Sequence, residues 1–187
     1  LKPSSREALA LIRNLTVDLK IVTGDAAEVA GAVGHELGLI PSREAVISGA
    51  EFEALSPETR LAAAREYHVF ARTSPANKEQ IIEALRAGGR SVAFLGDGFN
   101  DVPALKTADV ALTVHGASDM AKSVSDIVLL KEDLLVVAEG ITEGRRIFAN
   151  VVKYIRTTLA ANVGNFFSLS VLSLFMRFLP MLPIQLL

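Results

Sequence analysis

Twenty consecutive residues near the end of the sequence, Thr157 to Met176, carry no charged side chain and are bracketed by Arg156 and Arg177. As a helix rising about 1.5 Å per residue, this stretch would reach about 30 Å, which is the thickness of the apolar core of a bilayer. A buried helix of a soluble protein is the alternative, but the uncharged length and the charged flanks disfavour it. The stretch therefore predicts a transmembrane helix over residues 157–176.

Basic residues lie mainly on one side of this predicted span. Those that precede it are Arg145, Arg146, Lys153 and Arg156, and Arg177 follows it closely. Because positive residues favour the cytoplasmic side, we expect residues 1–156 in the cytoplasm, at a plasma membrane or cell inner membrane. Residues 134–156 predict a stalk helix that leads into the span. Residues 177–187 predict a loop and the start of a second, truncated transmembrane helix.

Residues 1–133 alternate between short apolar runs and segments of helical periodicity. The predicted strands lie in VDLKIVTGD, AVISG, HVFAR, SVAFLGDG, DVALTV and DIVLL. The predicted helices run from Ser4 or Ser5 to about Asn14, across Ala26 to Leu37, through SPETRLAAAREY and SPANKEQIIEALRAGG, and as one turn near Ser118 to Lys122. Strands that alternate with helices predict a Rossmann-like parallel α/β sheet with helices on both faces and ligands at the carboxyl ends of the strands.

Polar residues follow three of these predicted strands. They are Thr23, Gly24 and Asp25 after the first, Arg72 and Thr73 after the third, and Asp97, Gly98, Asn100 and Asp101 after the fourth. Because the carboxyl ends of parallel strands meet at one edge of a sheet, we expect these side chains to gather there.

The loop GDGFND explains what chemistry this edge could support. Asp97 and Asp101 are so closely spaced that they repel one another unless a cation is bound, and hard oxygen ligands suit Mg²⁺. Asn100 can orient a carboxylate or ligate through its carbonyl. Gly96 and Gly98 let the backbone turn and approach a phosphate. The loop therefore predicts that this edge of the sheet binds Mg²⁺.

Two weaker signals fit the same site. Thr23 offers a hydroxyl to phosphate oxygens, and Lys78 offers a positive charge from the start of a helix. Alone, a TGD stretch is usually a turn after a strand, and a lysine at a helix start is usually solvated. With the acidic loop, they predict a magnesium-dependent phosphoryl-transfer site, where positioning and charge neutralisation supply most of the catalysis.

These motifs resemble those of one family. GDGFNDVPAL resembles the hinge motif of P-type ATPases, TGD their second phosphate-site motif, and the segment around Lys78 their third. DVALTV, DIVLL, the basic stretch GRRIFANVVKYIR and the following span occur in the order that this family uses. The resemblance implies the haloacid-dehalogenase-like phosphotransferase fold, with Mg²⁺ as cofactor and ATP as substrate.

The resemblance also implies residue roles. Asp97 and Asp101 would hold the catalytic Mg²⁺ with Asn100 assisting, and Lys78 would neutralise the phosphoryl group. Thr23 and Gly24 would contact that group, and Asp25 stands where the family places an acidic residue near the nucleotide. Phe99 and Val102 are bulkier than the residues often found at their places, without affecting these ligands.

The family's nucleophile is missing from this sequence. That nucleophile is the aspartate of a DKTGT motif, and Asp18, in TVDLK, lacks the following Lys-Thr-Gly and falls inside a predicted strand. We therefore expect residues 1–133 to be the C-terminal part of the phosphorylation domain. Its partners would be the rest of the same ATPase, namely the nucleotide-binding, actuator and other membrane segments. The chain alone would form no phosphoenzyme.

The predicted span carries a polar stripe. In a helix, Thr158, Asn162, Asn165 and Ser173 fall within an arc of roughly 80°. Such residues can simply join helices by packing and hydrogen bonding, but two asparagines one turn apart, Asn162 and Asn165, suggest an ion path. FLGDG, NVGNFFS and FLPMLPIQLL resemble the magnesium-importing branch of the family. Transport of calcium or another cation is the alternative.

Composition limits the remaining alternatives. The formal net charge of −2 does not favour a nucleic-acid partner, and the absence of cysteine excludes disulfides and thiolate sites. A soluble phosphatase of the same fold would need its own aspartate nucleophile and no membrane span. A further alternative is a chain that binds Mg²⁺ and phosphate weakly and catalyses nothing by itself.

Overall fold

The structure is a computed structural model that describes residues 3–175, with side chains from residue 6. The predicted segment 177–187 and Met176 lie outside the described residues. The chain divides into two units, residues 1–138 and residues 139–187. The helices are α1 (Pro3–Asn14), α2 (Ala27–Glu36), α3 (Gly49–Glu53), α4 (Pro57–Glu66), α5 (Pro75–Ala87), α6 (Val102–Thr107), α7 (Asp119–Val124) and α8 (Leu134–Phe175). The strands are β1 (Ile21–Val22), β2 (Ile47–Ser48), β3 (Val69–Ala71), β4 (Ala93–Leu95), β5 (Val110–Val114) and β6 (Ile127–Leu129).

The first three strands form one parallel sheet with helices on both faces. Its order is β1-β3-β2, with Ile21 opposite Val69 and Ile47 opposite Phe70. Side chains alternate across the central strand β3. Phe70 packs with apolar side chains from α3, α4 and α5, whereas Val69 and Ala71 pack with Ala30 of α2. The sheet is therefore the middle layer of three.

The last three strands form a second parallel sheet, in the order β4-β5-β6. Phe94 lies opposite Ala111, and Thr113 lies opposite Val128. Leu105 of α6 and Ala121 of α7 pack against Ala111 in a smaller core. The prediction of parallel strands alternating with helices is confirmed, but the strands fall into two three-stranded sheets rather than one.

The two sheets have edges that no described residue pairs with. The amide of Ile21 donates to His68, just before β3, and the amide of Thr23, just after β1, donates to Phe70 of β3. The peptide groups of Val22 between them therefore point to the opposite edge. In β4, Ala93 and Leu95 are exposed, although β3, the central strand of the other sheet, is buried throughout. Apolar side chains on an unpaired strand indicate that β4 has room for a further neighbour.

Helix caps account for most of the element boundaries. Ser56, Ser74 and Ser118 accept hydrogen bonds from the amides three residues on, and Pro57 and Pro75 occupy the first turns that they favour. α2 ends before Gly38, whose φ of 66° places it in the left-handed region favoured by glycine. These boundaries confirm the predicted helices to within one or two residues.

Some elements differ from the sequence predictions. β1 covers only Ile21 and Val22, so Asp18 lies before the strand rather than inside it; the prediction on this point was wrong. α3 and α6 were not predicted, because five and six residues are too few to show a helical period. Phe99–Asp101 forms a 3₁₀ turn that leads directly into α6.

α8 is continuous over 42 residues, through the predicted boundary between stalk and membrane span. It is long and apolar enough to cross a membrane, and none of its most apolar stretch is buried in the described part of the chain. Ser168 and Ser170 donate their hydroxyls to carbonyls four residues back, at Gly164 and Phe166. These hydroxyls are therefore satisfied within the helix itself.

Candidate functional site

A cleft of about 440 Å³ lies between residues of β1 and residues of β4. Its lining residues are Val22, Thr23, Lys78, Phe94, Leu95, Gly96, Asp97, Asp101, Val114 and Glu132. Four of the residues predicted from sequence, Thr23, Lys78, Asp97 and Asp101, thus border one space. Of the residues predicted to gather at the strand ends, Thr23, Asp97 and Asp101 line this cleft, and Lys78 joins them from the start of α5.

The loop after β4 is folded around the carboxylate of Asp101. Its Oδ2 accepts hydrogen bonds from the amides of Asp97 and Gly98, both at 3.2 Å. An added Cβ at Gly96 would lie 2.6 Å from Asp101 Cβ, so only glycine permits this approach. The Gly96 carbonyl accepts a hydrogen bond from the hydroxyl of Thr113 at 2.6 Å. Asp101 is consequently buried, while Asp97 is exposed at the cleft.

Lys78 reaches this loop from the start of α5. Ser74 caps the helix together with Asn77, which is itself buried, so the first turn is fixed. The ammonium group of Lys78 then lies 2.6 Å from Asp101 Oδ1. Both side chains are largely buried, 13% and 10% exposed, which strengthens their attraction relative to a surface pair.

The TGD stretch forms a tight turn after β1. The hydroxyl of Thr23 donates to Asp25 Oδ2 at 2.9 Å and accepts from the Asp25 amide at 3.1 Å. The loop after β3 is tied to this turn, because the amides of Arg72 and Thr73 donate to the carbonyls of Asp25 and Thr23. Arg72 adopts a positive φ of 48°, which is uncommon for a residue with a side chain. Gly24 is exposed on the same turn.

Comparison with known proteins decides the family. Residues 1–109, more than half of the chain, match the haloacid dehalogenase-like hydrolase family. The chain belongs to this family. The resemblance inferred from GDGFND and TGD is thus confirmed, and so is the fold that it implied.

Within the haloacid dehalogenase-like family, this chain is similar to cation-transporting ATPases. It is 45% identical over 186 residues to a magnesium-transporting P-type ATPase of Salmonella typhimurium and 44% identical to one of Escherichia coli. A calcium-transporting ATPase of Bacillus subtilis is 35% identical. Each match covers the whole chain, and the chain spans about a fifth of the length of these relatives.

A solved structure is similar as well. It is the catalytic domain of the CPx-ATPase CopB-B, studied for its conformational changes upon nucleotide binding. The TM-score is 0.56 at 25% identity, and the match covers 75% of this chain and 45% of that one. The resemblance of the haloacid dehalogenase-like chain to P-type ATPases therefore extends to its fold.

The donor atoms in the cleft of this haloacid dehalogenase-like chain fit a magnesium ion. Asp97 and Asp101 supply carboxylate oxygens, and Gly96 leaves the space that brings Asp101 to the strand end. Among the described residues, no three or more His, Cys, Asp or Glu side chains lie close enough together to hold a metal ion. Mg²⁺ is commonly held by one or two carboxylates, with waters and substrate phosphates completing its shell, so two carboxylates suffice here.

One predicted site residue, Asn100, lies outside the cleft, and Asp18, which was considered as a nucleophile, lies at the other end of β1. Asn100 is exposed on the 3₁₀ turn and does not line the cleft. Asp18 lies before β1, where it pairs with Lys20 at 3.2 Å and His68 at 3.0 Å. It is therefore at the amino end of the strand, whereas Thr23 follows its carboxyl end.

Glu132, which was not among the predicted site residues, also lines the cleft, three residues after β6. The rule that led to Thr23 and Asp97 would have found it, had it been applied to the strand DIVLL. Thr113 was missed too, because its role depends on the pairing of β5 with β4. No pattern local to DVALTV indicates this contact.

In the second unit of the chain, α8 carries the predicted ion-path residues. Asn162 and Asn165 are both exposed on the helix. Ser173, which shares their predicted stripe, donates its hydroxyl to the carbonyl of Ser170 at 2.8 Å. The helical arc that was predicted for these residues requires a continuous helix, and α8 is continuous there.

Proposed function

We propose that this chain is a section of an ATP-driven, cation-transporting P-type ATPase and that its first unit supplies the magnesium-dependent phosphoryl-transfer site. The observation that carries the proposal is the convergence of Thr23, Lys78, Asp97 and Asp101 on one cleft at the strand ends. Besides a nucleophile, such a transfer uses carboxylates that hold a metal, a positive group and hydrogen-bond donors to the phosphate, and the cleft has two carboxylates, one ammonium group and one hydroxyl for these roles. The magnesium-transporting relatives support this function for the whole protein.

The roles within the site follow from charge. Asp97 and Asp101 would hold Mg²⁺, which, when bound, neutralises charge on the phosphoryl oxygens. Thr23 and Gly24 would contact the phosphoryl group from the turn after β1. Lys78 would neutralise the same group from the start of α5.

Two further roles rest on the resemblance alone. Asn100 would assist from the exposed 3₁₀ turn, and Asp25 would lie near the nucleotide. Asp25 accepts the only proton of the Thr23 hydroxyl at 2.9 Å, so this hydroxyl would have to leave Asp25 to donate to a phosphoryl oxygen. ATP would be the substrate of the whole protein.

The nucleophile would come from another part of the same ATPase. In the described chain the carboxylates that line the cleft are Asp97, Asp101 and Glu132, and each follows a strand that is already present. β1 and β4 each have an edge without a partner in the described residues. A further parallel strand between them would carry an aspartate to the cleft, next to Thr23 and Asp97.

The second unit would cross the membrane. α8 has the length and apolar composition for this, and the basic residues before residue 157 favour a cytoplasmic location for residues 1–156. We propose a multi-pass protein of the plasma or inner membrane, with Asn162 and Asn165 on the ion path. Mg²⁺ is the transported cation that the relatives favour, and Ca²⁺ or another cation is the alternative.

The test measures acid-stable labelling of the protein by the γ-phosphate of ATP. Mg²⁺, Ca²⁺ and other cations are titrated. It compares this chain alone with the chain inside an intact ATPase. We expect labelling of the intact protein only, and the cation that changes its turnover identifies the transported ion. Labelling of the isolated chain would contradict the absence of a nucleophile and favour a soluble-type phosphatase.

A matched substitution tests the metal role in the intact protein. Asp101→Asn removes one charge and keeps the shape, so we expect the magnesium-dependent phosphoenzyme to be lost. Asp119→Asn is a control for the same change of charge, because Asp119 is fully exposed on α7 and does not line the cleft. Near-normal phosphoenzyme in Asp101→Asn would count against the proposed site.

A further inference from the structure

Both oxygens of the Asp101 carboxylate are already engaged. Oδ2 accepts from two backbone amides of its own loop, and Oδ1 accepts from the ammonium group of Lys78 at 2.6 Å. The surface pair Arg6–Glu36 has side chains 70% and 52% exposed, whereas both partners of the Lys78 pair are largely buried. The positive charge that neutralises Asp101 in this structure is therefore the ammonium group of Lys78.

Asp97 has a different environment. Its amide is used by Asp101, but its side chain is exposed at the cleft. A divalent cation held by both carboxylates would need an oxygen of Asp101, and Oδ1 is the one not bound to the loop amides. An ammonium group in contact with that oxygen repels a second cation there.

We propose that Lys78 is an internal counter-ion that competes with the divalent cation for Asp101, and that its release delivers the ammonium group to the phosphoryl side of the cleft. Lys78 has the freedom for this, because a lysine has a flexible four-carbon stem and rotatable donors. Thr23 lines the same cleft, so the released group stays near the turn proposed to contact phosphate. Metal binding and neutralisation of the phosphate would then be linked.

This inference rests on the proposed metal site, but it separately predicts whether metal affinity rises or falls when the charge of Lys78 is removed. If Lys78 competes with the metal, removing its charge tightens metal binding. If Lys78 instead serves to hold Asp101 in position for the metal, removing it weakens binding. The two roles therefore give opposite results in one titration.

The experiment uses Mn²⁺ alone as the probe, with the full 187-residue chain in mild detergent and free Mn²⁺ measured by electron paramagnetic resonance. Carboxylate sites that suit Mg²⁺ also take Mn²⁺. We expect Lys78→Gln to bind Mn²⁺ about tenfold more tightly than the unmodified chain. Lys78→Arg, which keeps the charge, should stay close to the unmodified chain.

Lys106→Gln is the matched control. Lys106 is exposed on α6, so its replacement changes the net charge equally without touching Asp101. We expect Mn²⁺ affinity close to that of the unmodified chain. Equal or weaker binding by Lys78→Gln would overturn the inference.

A second measurement uses only the unmodified chain, so its result does not depend on whether a variant folds. Amine-selective labelling read by mass spectrometry should show that Mn²⁺ raises the reactivity of Lys78 and leaves that of Lys106 unchanged. Unchanged or reduced labelling of Lys78 at saturating Mn²⁺ would also overturn the inference.

Asp101→Asn separates this inference from the proposed function. Loss of Mn²⁺ binding in Asp101→Asn, without tighter binding in Lys78→Gln, would reject the counter-ion role alone. Unchanged Mn²⁺ binding in Asp101→Asn, or no binding by any of these proteins, would reject the metal site and the inference together.

Discussion

The hydroxyl of Thr113 on β5 donates a hydrogen bond to the backbone carbonyl of Gly96, 2.6 Å away, at the end of β4. Thr113 is fully buried, and the Gly96 amide donates to Leu112 on the same neighbouring strand. Two bonds therefore fix the start of the loop that carries Asp97 and Asp101. The position of both carboxylates depends on a strand that contributes neither of them.

Thr113→Val should lower the free energy of unfolding by about 1–3 kcal/mol, because it keeps the shape of the side chain and leaves the Gly96 carbonyl without its partner. Thr113→Ser is the control, since it keeps the hydroxyl and removes one methyl group, which costs about 0.8 kcal/mol. Urea unfolding in mild detergent measures both. A smaller loss for valine than for serine would show that packing, not the hydrogen bond, matters at this position.

Gly96→Ala should be far more harmful than Gly98→Ala, although the two glycines lie in the same loop. A Cβ at Gly96 would lie 2.6 Å from Asp101 Cβ, whereas one at Gly98 meets its nearest neighbour, Asp101 Oδ2, at 3.7 Å. We expect Gly96→Ala to cost about 1–3 kcal/mol, as overpacking does, and Gly98→Ala to cost clearly less. Comparable losses in urea unfolding would mean that the loop relaxes around the added methyl group.

The pair formed by Lys78 and Asp101 shows what sequence could predict of the site. Strand ends in a parallel sheet gather their residues, so the convergence of Thr23, Asp97 and Asp101 followed from the order of elements. The contact between Lys78 and Asp101 did not, because it joins residues 23 positions apart through loops whose course depends on packing. The predicted roles of Lys78 and Asp101 followed from their charges alone, whereas the proposed competition between Lys78 and the metal for Asp101 rests on the 2.6 Å distance between the two side chains.

Ser48 and Glu51 form a capping box at the start of α3. Ser48 Oγ lies 2.7 Å from Glu51 Oε2, and the Ser48 amide donates to the same oxygen at 2.8 Å. The side-chain hydrogen bond from Ser48, followed by that from its amide, lowers the pKa of Glu51 below its usual 4.5. The ionised carboxylate is thus favoured in the folded chain.

Glu51→Ala should therefore lower the free energy of unfolding at pH 7 by about 0.5–1 kcal/mol, the low end for a lost cap, because α3 is short. A lowered folded pKa gives stability that is present above pH 4.5 and lost as the pH falls through the folded value. The difference from the unmodified chain should then shrink as the pH falls below 4.5 and through the lower folded pKa. Urea unfolding at several pH values measures it, with Glu44→Ala as a control for loss of an exposed glutamate.

Cap residues also explain how much of the fold was predictable. Ser56 and Ser74 stand directly before proline and mark helix starts by local chemistry, so α4 and α5 were found closely. The division into two sheets was not predictable in this way. The number of sheets depends on which strands lie beside β1 and β4. Contacts between residues far apart in the sequence decide this pairing, so no local pattern predicts it.

Asn165→Ala in the intact ATPase should weaken the response to the transported cation and leave phosphorylation by ATP nearly unchanged. Asn165 is exposed on the part of α8 proposed to cross the membrane, one turn from Asn162. Its amide carbonyl can replace one water molecule in the hydration shell of an ion. Loss of one ligand should raise the half-maximal cation concentration for turnover about tenfold. Ser168→Ala is the matched control, because the Ser168 hydroxyl already donates to the carbonyl of Gly164 at 2.8 Å within its own helix. If both variants keep the normal cation response, Asn165 serves only to join helices, and the ion path must be sought on other membrane segments.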